Sequence, residues 1–149
     1  MAELPETLPE TLHATAIDIE GQGVLLLGPS GSGKSDLSLR LIDRGAKLVA
    51  DDRVIVSAAL GGLKLSAPPN IAGKMEVRGL GVLELPESLV SEATLARLAV
   101  DLSAAPERLP EPEYFEHLGV ALPLIRLSAF EASAPIKLEW ALALQLGGG

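Results

Sequence analysis

An α/β domain with a mixed, hairpin-rich sheet and a phosphate-binding loop is the fold class this sequence predicts, and three observations predict it. An apolar run, Val24 to Leu27, leads directly into Gly28-Pro29-Ser30-Gly31-Ser32-Gly33-Lys34-Ser35. Leucines at helical spacing follow that glycine-rich stretch. Elsewhere, short alternating segments are separated by glycine-containing turns too brief for helical crossovers, which marks hairpins and not a purely parallel sheet.

The chain has 149 residues, 48% hydrophobic and 21% charged, the size and makeup of one soluble domain able to bury a core. With no cysteine, disulfides and thiolate metal sites are excluded. A net charge of −8 and an aromatic content of 3% argue against nucleic acid as a partner, since clustered Lys and Arg are missing and few aromatics are available to stack along a strand. No apolar run is long enough to span a bilayer, and the start, Met1-Ala2-Glu3-Leu4-Pro5-Glu6, is unlike a secretory signal. A cytoplasmic protein with no membrane partner is expected. Residues 1–11 are expected as a flexible arm, 12–146 as the folded domain and 147–149 as a frayed tail.

Taken in order, Thr15 to Glu20 alternates, with Ile17 and Ile19 on one face and Asp18 and Glu20 on the other, and reads as a half-exposed strand. Gly21-Gln22-Gly23 turns the chain into Val24 to Leu27, apolar on both faces and therefore deeper in the sheet. Lys34 to Arg44 is an amphipathic helix with Leu37 and Leu41 one turn apart and Gly45 as its stop. Ala46 to Ala50 is a short buried strand ending on Asp51-Asp52. Arg53 to Ala59 and Leu63 to Leu65 make a hairpin across Gly61-Gly62. Pro68-Pro69-Asn70 breaks the pattern before an extended stretch from Met75 to Leu85, in which Gly79 and Gly81 mark a bulge or a close backbone approach. Leu95 to Leu102 and Val120 to Leu127 read as strands, and Ala104 to Glu113, with its prolines, as a loop. A closing helix begins near Pro135 and carries Leu138, Leu142 and Leu146.

The loop carries the chemistry. Strand, glycine loop and helix together are the setting in which the backbone of Gly28, Pro29, Ser30, Gly31, Ser32 and Gly33 curls its N–H groups around phosphate oxygens. Lys34 reaches the β- and γ-phosphates and the Ser35 hydroxyl ligates Mg²⁺, so ATP and Mg²⁺ are the expected cofactors. Such a loop needs a carboxylate near the metal at the end of an apolar strand, and Asp51-Asp52 fits; adjacent residues at a strand end point to opposite faces and can hold separate jobs. Glu76 and Arg78, two apart in an extended stretch, face the same side: either they serve metal and phosphate, or they pair with each other on the surface. Spacing alone gives His13 no role.

Leu12-His13, the glycine loop, Leu48-Val49-Ala50-Asp51-Asp52-Arg53-Val54 and Met75-Glu76-Val77-Arg78-Gly79-Leu80-Gly81-Val82, in that order, resemble the catalytic domain of the HPr kinase/phosphorylase family in its short, single-domain form. The resemblance is firm from His13 to Leu85 and loose beyond. It implies a bacterial protein kinase with a P-loop fold similar to that of phosphoenolpyruvate carboxykinase, using ATP and Mg²⁺ to phosphorylate a serine of the phosphocarrier HPr. It further implies Asp51 as the base, helped by His13, with Asp52 supporting metal and geometry, Ser35 and Glu76 as metal ligands, and Lys34 and Arg78 steadying the phosphates. Three departures stand out: Pro29 replaces an Asp of the loop, Glu116-His117-Leu118-Gly119 stands where the family has Asp-Arg-Leu-Gly, and the later Gly-Arg-Asn loop has no match in Leu124 to Ala134.

The function expected is therefore an ATP- and Mg²⁺-dependent protein serine kinase acting on HPr or an HPr-like phosphocarrier of a phosphotransferase system. The departures leave the reverse, phosphorylase reaction and assembly into a homo-oligomer open. The alternative is a nucleotide-responsive module that senses ATP and holds a partner without transferring phosphate.

Overall fold

The computed structural model describes residues 9–147. In chain order the strands are β1 (Glu10–Leu12), β2 (Ala14–Ile19), β3 (Gln22–Leu27), β4 (Lys47–Ala50), β5 (Val54–Ala59), β6 (Gly62–Ser66), β7 (Lys74–Val77), β8 (Gly81–Glu84), β9 (Ala93–Asp101), β10 (Glu113–His117) and β11 (Val120–Arg126). Helix α1 (Lys34–Asp43) follows β3, and helix α2 (Ala134–Gly147) closes the chain.

Val24, Leu25 and Leu26 are fully buried in β3, the deep strand that their unbroken apolarity predicts. β2 lies antiparallel between β3 and β4. On its other side β3 runs parallel to β9, and β11 pairs parallel with the end of β9. The front of β9 pairs antiparallel with β6, which leads on to β5 and β1. The sheet is thus mixed: hairpins at β2–β3, β5–β6 and β10–β11, and parallel pairing around β9.

The period of two along each strand sorts side chains into two cores. On one face Ile17, Val24, Leu26, Leu98 and Val100 meet Leu37 and Leu41 of α1 and Leu138 and Leu142 of α2. On the other, Ala14, Ala16, Leu25 and Ala99 meet Val54, Val56, Leu63, Leu65 and Leu122, so β5 and β6 curl over the face that no helix covers. A third cluster of Ile42, Leu48, Met75 and Val77 fastens β7 to α1 and β4. No helix among the described residues is long and apolar enough to cross a membrane.

The structure departs from the sequence reading in three places. Glu10 and Thr11, expected in a flexible arm, continue into Leu12 as strand β1 and pair with Val54 to Val56, a contact more than forty residues away in the chain that no local pattern reveals; residues 1–8 of that arm lie outside the described residues. Met75 to Leu85 is not one extended stretch. The chain reverses over Arg78 to Leu80, with Leu80 N–H donating to the Val77 carbonyl, and β7 pairs back on β8. Gly79 and Gly81, at φ 92° and 94°, serve that turn and not a bulge. Finally, Glu113 to His117 form β10 at the end of the expected loop. Of the expected frayed tail, Gly147 is instead the last residue of α2, and 148–149 lie outside the described residues.

Candidate functional site

Because β2 is antiparallel to both β3 and β4, its start and their two ends share one edge of the sheet. That edge receives His13, the loop from Gly28 to Ser35, and the Asp51-Asp52 pair.

Gly28 and Gly33 of the loop are required by space as well as by backbone. Gly28 and Gly33 adopt φ 148° and 99°. A Cβ on Gly28 would stand 2.5 Å from Ser32 Oγ, and one on Gly33 would stand 2.6 Å from Ala129 Cβ. Ser32 N–H donates to the Pro29 carbonyl at 3.1 Å, closing a turn. Gly33 begins α1 in the left-handed region with no side chain capping the helix, which leaves the first-turn N–H groups directed toward the loop. Lys34 is only 5% exposed. Its ammonium donates to the carbonyls of Gly28 and, at 3.1 Å, Pro29. Burial lowers its pKa from the usual lysine value, while the Asp52 and Asp51 carboxylates work the other way. Both aspartates therefore bear on the charge of the lysine.

The two aspartates do face different ways. Asp51, 8% exposed, accepts the Ser35 hydroxyl on Oδ1 at 2.7 Å and the Glu76 amide on Oδ2 at 3.0 Å. Thr15 Oγ1 stands 3.5 Å from the same Oδ1 and accepts the Asp52 amide at 3.1 Å. Asp52 has a left-handed backbone, φ 67°, which turns its side chain outward. There His13 Nε2 lies 2.6 Å from Asp52 Oδ1, with both groups about half exposed. His13, expected to help Asp51, is thus paired with Asp52. The reason is geometric: Asp51 is turned inward to Ser35 and Thr15, and only its neighbour reaches the residue before β2.

A cleft of about 480 Å³ opens here, lined by Thr11, Leu12, His13, Ser30, Asp52 and Arg53. It joins the His13–Asp52 pair to the glycine loop. Glu76 enters the site through its backbone, while its side chain is exposed. Arg78 opens the β7–β8 turn, so the two do not share a strand face as the extended reading supposed. Among the described residues no group of three or more His, Asp or Glu gathers as a protein cage for a metal. A hydroxyl oriented by a buried carboxylate beside an anion loop suits Mg²⁺, which takes few protein ligands and completes its shell with phosphate oxygens and water.

Sequence reasoning missed Thr15. It sits on the same strand face as Ile17, and nothing in its alternation distinguishes a structural threonine from one that holds two acidic residues. It also missed a clamp at the neighbouring strand ends. Arg126 binds Asp101 at 2.9 Å and Glu113 through two parallel hydrogen bonds of 3.1 and 2.9 Å. Burial opposes the Asp101 charge, but the Ser103 hydroxyl and amide together with Arg126 outweigh it and hold the carboxyl below its ordinary pKa. The Arg126 hydrogen bond does the same for Glu113. The Leu102 amide donates to the Leu27 carbonyl at 2.8 Å, tying this clamp to the start of the loop. Glu116 to Gly119, where the resembled family has an arginine, lead into the β10–β11 turn, and His117 pairs there with Glu10 at 2.8 Å.

Comparison with known proteins follows the same lines. The family model described as HPr Serine kinase C-terminal domain matches residues 6–132. An HPr kinase/phosphorylase of Clostridium novyi is 32% identical over 133 residues, covering 87% of this chain and 43% of that protein. One from Caldanaerobacter subterraneus is 39% identical over 112 residues, covering 74% of this chain and 36% of that protein. The chain thus spans less than half the length of these curated relatives. The solved Hpr(Ser) kinase/phosphatase of Coxiella burnetii superposes with a TM-score of 0.80 at 28% identity, over 93% of both chains.

Proposed function

This chain belongs to the HPr Serine kinase C-terminal domain family, and on that premise we propose that it is a cytoplasmic, ATP- and Mg²⁺-dependent protein kinase that phosphorylates a serine of HPr or an HPr-like phosphocarrier. The observation that carries this reading is the shared cleft: the His13–Asp52 pair and Ser30 of the glycine loop line one opening. The order β3, loop, α1 further supports a P-loop fold of the phosphoenolpyruvate carboxykinase type.

In this reading the loop amides and Lys34 hold the triphosphate, with Arg78 adding charge from the β7–β8 turn. Ser35, oriented by Asp51, and the Glu76 carboxylate hold the metal; Mg²⁺, when bound, neutralises charge on the β- and γ-phosphate oxygens. Asp51 already accepts hydrogen bonds on both oxygens, so the role of base passes to Asp52. His13 occupies Asp52 Oδ1 and leaves Oδ2 for the proton. The carrier's serine Oγ forms a bond to the γ-phosphorus as the bond from that phosphorus to the bridging oxygen breaks. ADP departs and the serine proton passes to Asp52. Positioning and charge supply most of the rate, with the base contributing roughly 10²- to 10⁴-fold.

The test uses labelled ATP, Mg²⁺ and purified HPr. Asp52→Asn should bind ATP as the parent does by calorimetry and lose transfer by roughly 10²- to 10⁴-fold. Transfer at the parent rate by Asp52→Asn would remove Asp52 from the mechanism. ATP binding without any labelled carrier would turn the reading to the nucleotide-sensing module.

A further inference from the structure

The glycine loop borders a second concavity that neither the phosphate reading nor the family assignment uses. It encloses about 520 Å³ and is built from Ser32, the segment Leu102 to Ala105 that follows β9, and the segment Leu127 to Glu131 that follows β11. Its composition differs from that of the His13–Asp52 cleft. Leu102, Leu127 and Ala129 are buried at its base, and Phe130 stands 69% exposed beside them.

The pocket is continuous with the loop. The Phe130 ring comes within 3.1 Å, and Ala129 Cβ within 2.6 Å, of where a Cβ on Gly33 would lie, so both pack directly against the last glycine before α1. Ser32 lines the pocket, and its Oγ is buried without a hydrogen-bond partner among the described residues. A hydroxyl in that condition costs free energy unless something accepts from it or donates to it.

Phe130 is exposed but not loose. The Arg40 guanidinium donates to the carbonyls of Ala129 and, at 3.0 Å, Glu131, which brackets Phe130 on both sides. Lys137 binds the Glu131 carboxylate at 3.1 Å, and Glu131 N–H donates to the Ser128 carbonyl at 3.2 Å. An aromatic face presented to solvent on a turn pinned from two helices is a stacking platform. Its entropic cost is met by the fold before any ligand arrives. The ligand that matches has an anionic chain for the loop and a flat, weakly polar ring for Phe130.

We propose that this pocket receives the nucleoside half of a nucleoside triphosphate, with the base stacked on Phe130 and the hydroxyls of Ser32, Ser103 and Ser128 facing its polar edge. The proposal rests on the reading that Gly28 to Ser35 bind the triphosphate, and it adds the residues that distinguish a nucleotide from a bare phosphate chain.

Calorimetry with two probes, ATP and inorganic tripolyphosphate, each with Mg²⁺, separates the two claims. The parent protein should bind ATP more tightly than tripolyphosphate. Phe130→Ala should bind ATP about tenfold more weakly, the scale of losing one base–aromatic stack, with tripolyphosphate affinity unchanged, and Phe130→Tyr should restore ATP binding. Phe130 is mostly exposed, so the variants should keep the parent's circular dichroism and melting temperature. Equal affinity for the two probes in the parent, or an ATP affinity indifferent to Phe130→Ala, overturns the nucleoside pocket while leaving the phosphate loop standing. Failure of both probes to bind the parent overturns the loop reading and the pocket with it.

Discussion

Thr15 holds the acidic pair with a single hydroxyl: its Oγ1 reaches Asp51 and accepts the amide of Asp52. Thr15→Val keeps the shape and removes the acceptor, leaving a part-buried N–H unpaired. A loss of about 1–3 kcal/mol in urea unfolding is expected, together with a fall in kcat larger than any rise in KM for ATP. Ser35→Ala removes the hydroxyl that Asp51 orients, and the Mg²⁺ concentration for half-maximal transfer should rise, measured by titrating the metal at fixed ATP. Lys34, Ser35 and the aspartates were legible because their types and spacings are local. The pairing of His13 with Asp52 was not, since it depends on β2 and β4 lying side by side and on the left-handed turn at Asp52.

Helix α1 and the loop before it act as one element. Gly33→Ala drives a Cβ against Ala129 and forces a left-handed backbone on a residue that resists it. Loss of ATP and tripolyphosphate binding together is the expected outcome in calorimetry, with a lowered melting temperature. On α2, Leu138 is fully buried against the same core, and Leu138→Ala should cost about 2–5 kcal/mol in denaturant unfolding. Both helices were readable from leucine spacing because Leu37 and Leu41 of α1, and Leu138 and Leu142 of α2, each fall one turn apart and face the sheet. The β7–β8 hairpin was half readable. Met75 and Val77 alternate as a strand should, but a Gly-Leu-Gly turn and a glycine-marked bulge look alike until the partner strand is known. Strand β10 stayed hidden for a different reason: its burial alternates only between exposed and partly covered, so its sequence carries little contrast.

At the scale of the molecule, the Arg126 clamp joins β9, β10 and β11 and gives stability a pH dependence. Asp101 and Glu113 titrate below their ordinary values in the fold, so their contribution is present above roughly pH 4 and is lost as pH falls through the lower, folded values. Arg126→Met should therefore be less stable than the parent at neutral pH, with the gap closing below roughly pH 4 when urea unfolding is followed across pH. The mixed sheet was foreseen from the hairpin turns. Its curl was not, because among the described residues the two halves are joined by strand pairing only at β9, whose early residues pair with β6 and whose later ones lie between β3 and β11. That placement has a bearing on synthesis. The glycine loop leaves the ribosome ahead of β9, which flanks β3 on the side away from β2 and is made roughly seventy residues later. A nascent chain should stay blind to nucleotide until β9 has emerged, and arrested chains of increasing length, probed for ATP-dependent protease protection, should acquire it in one late step.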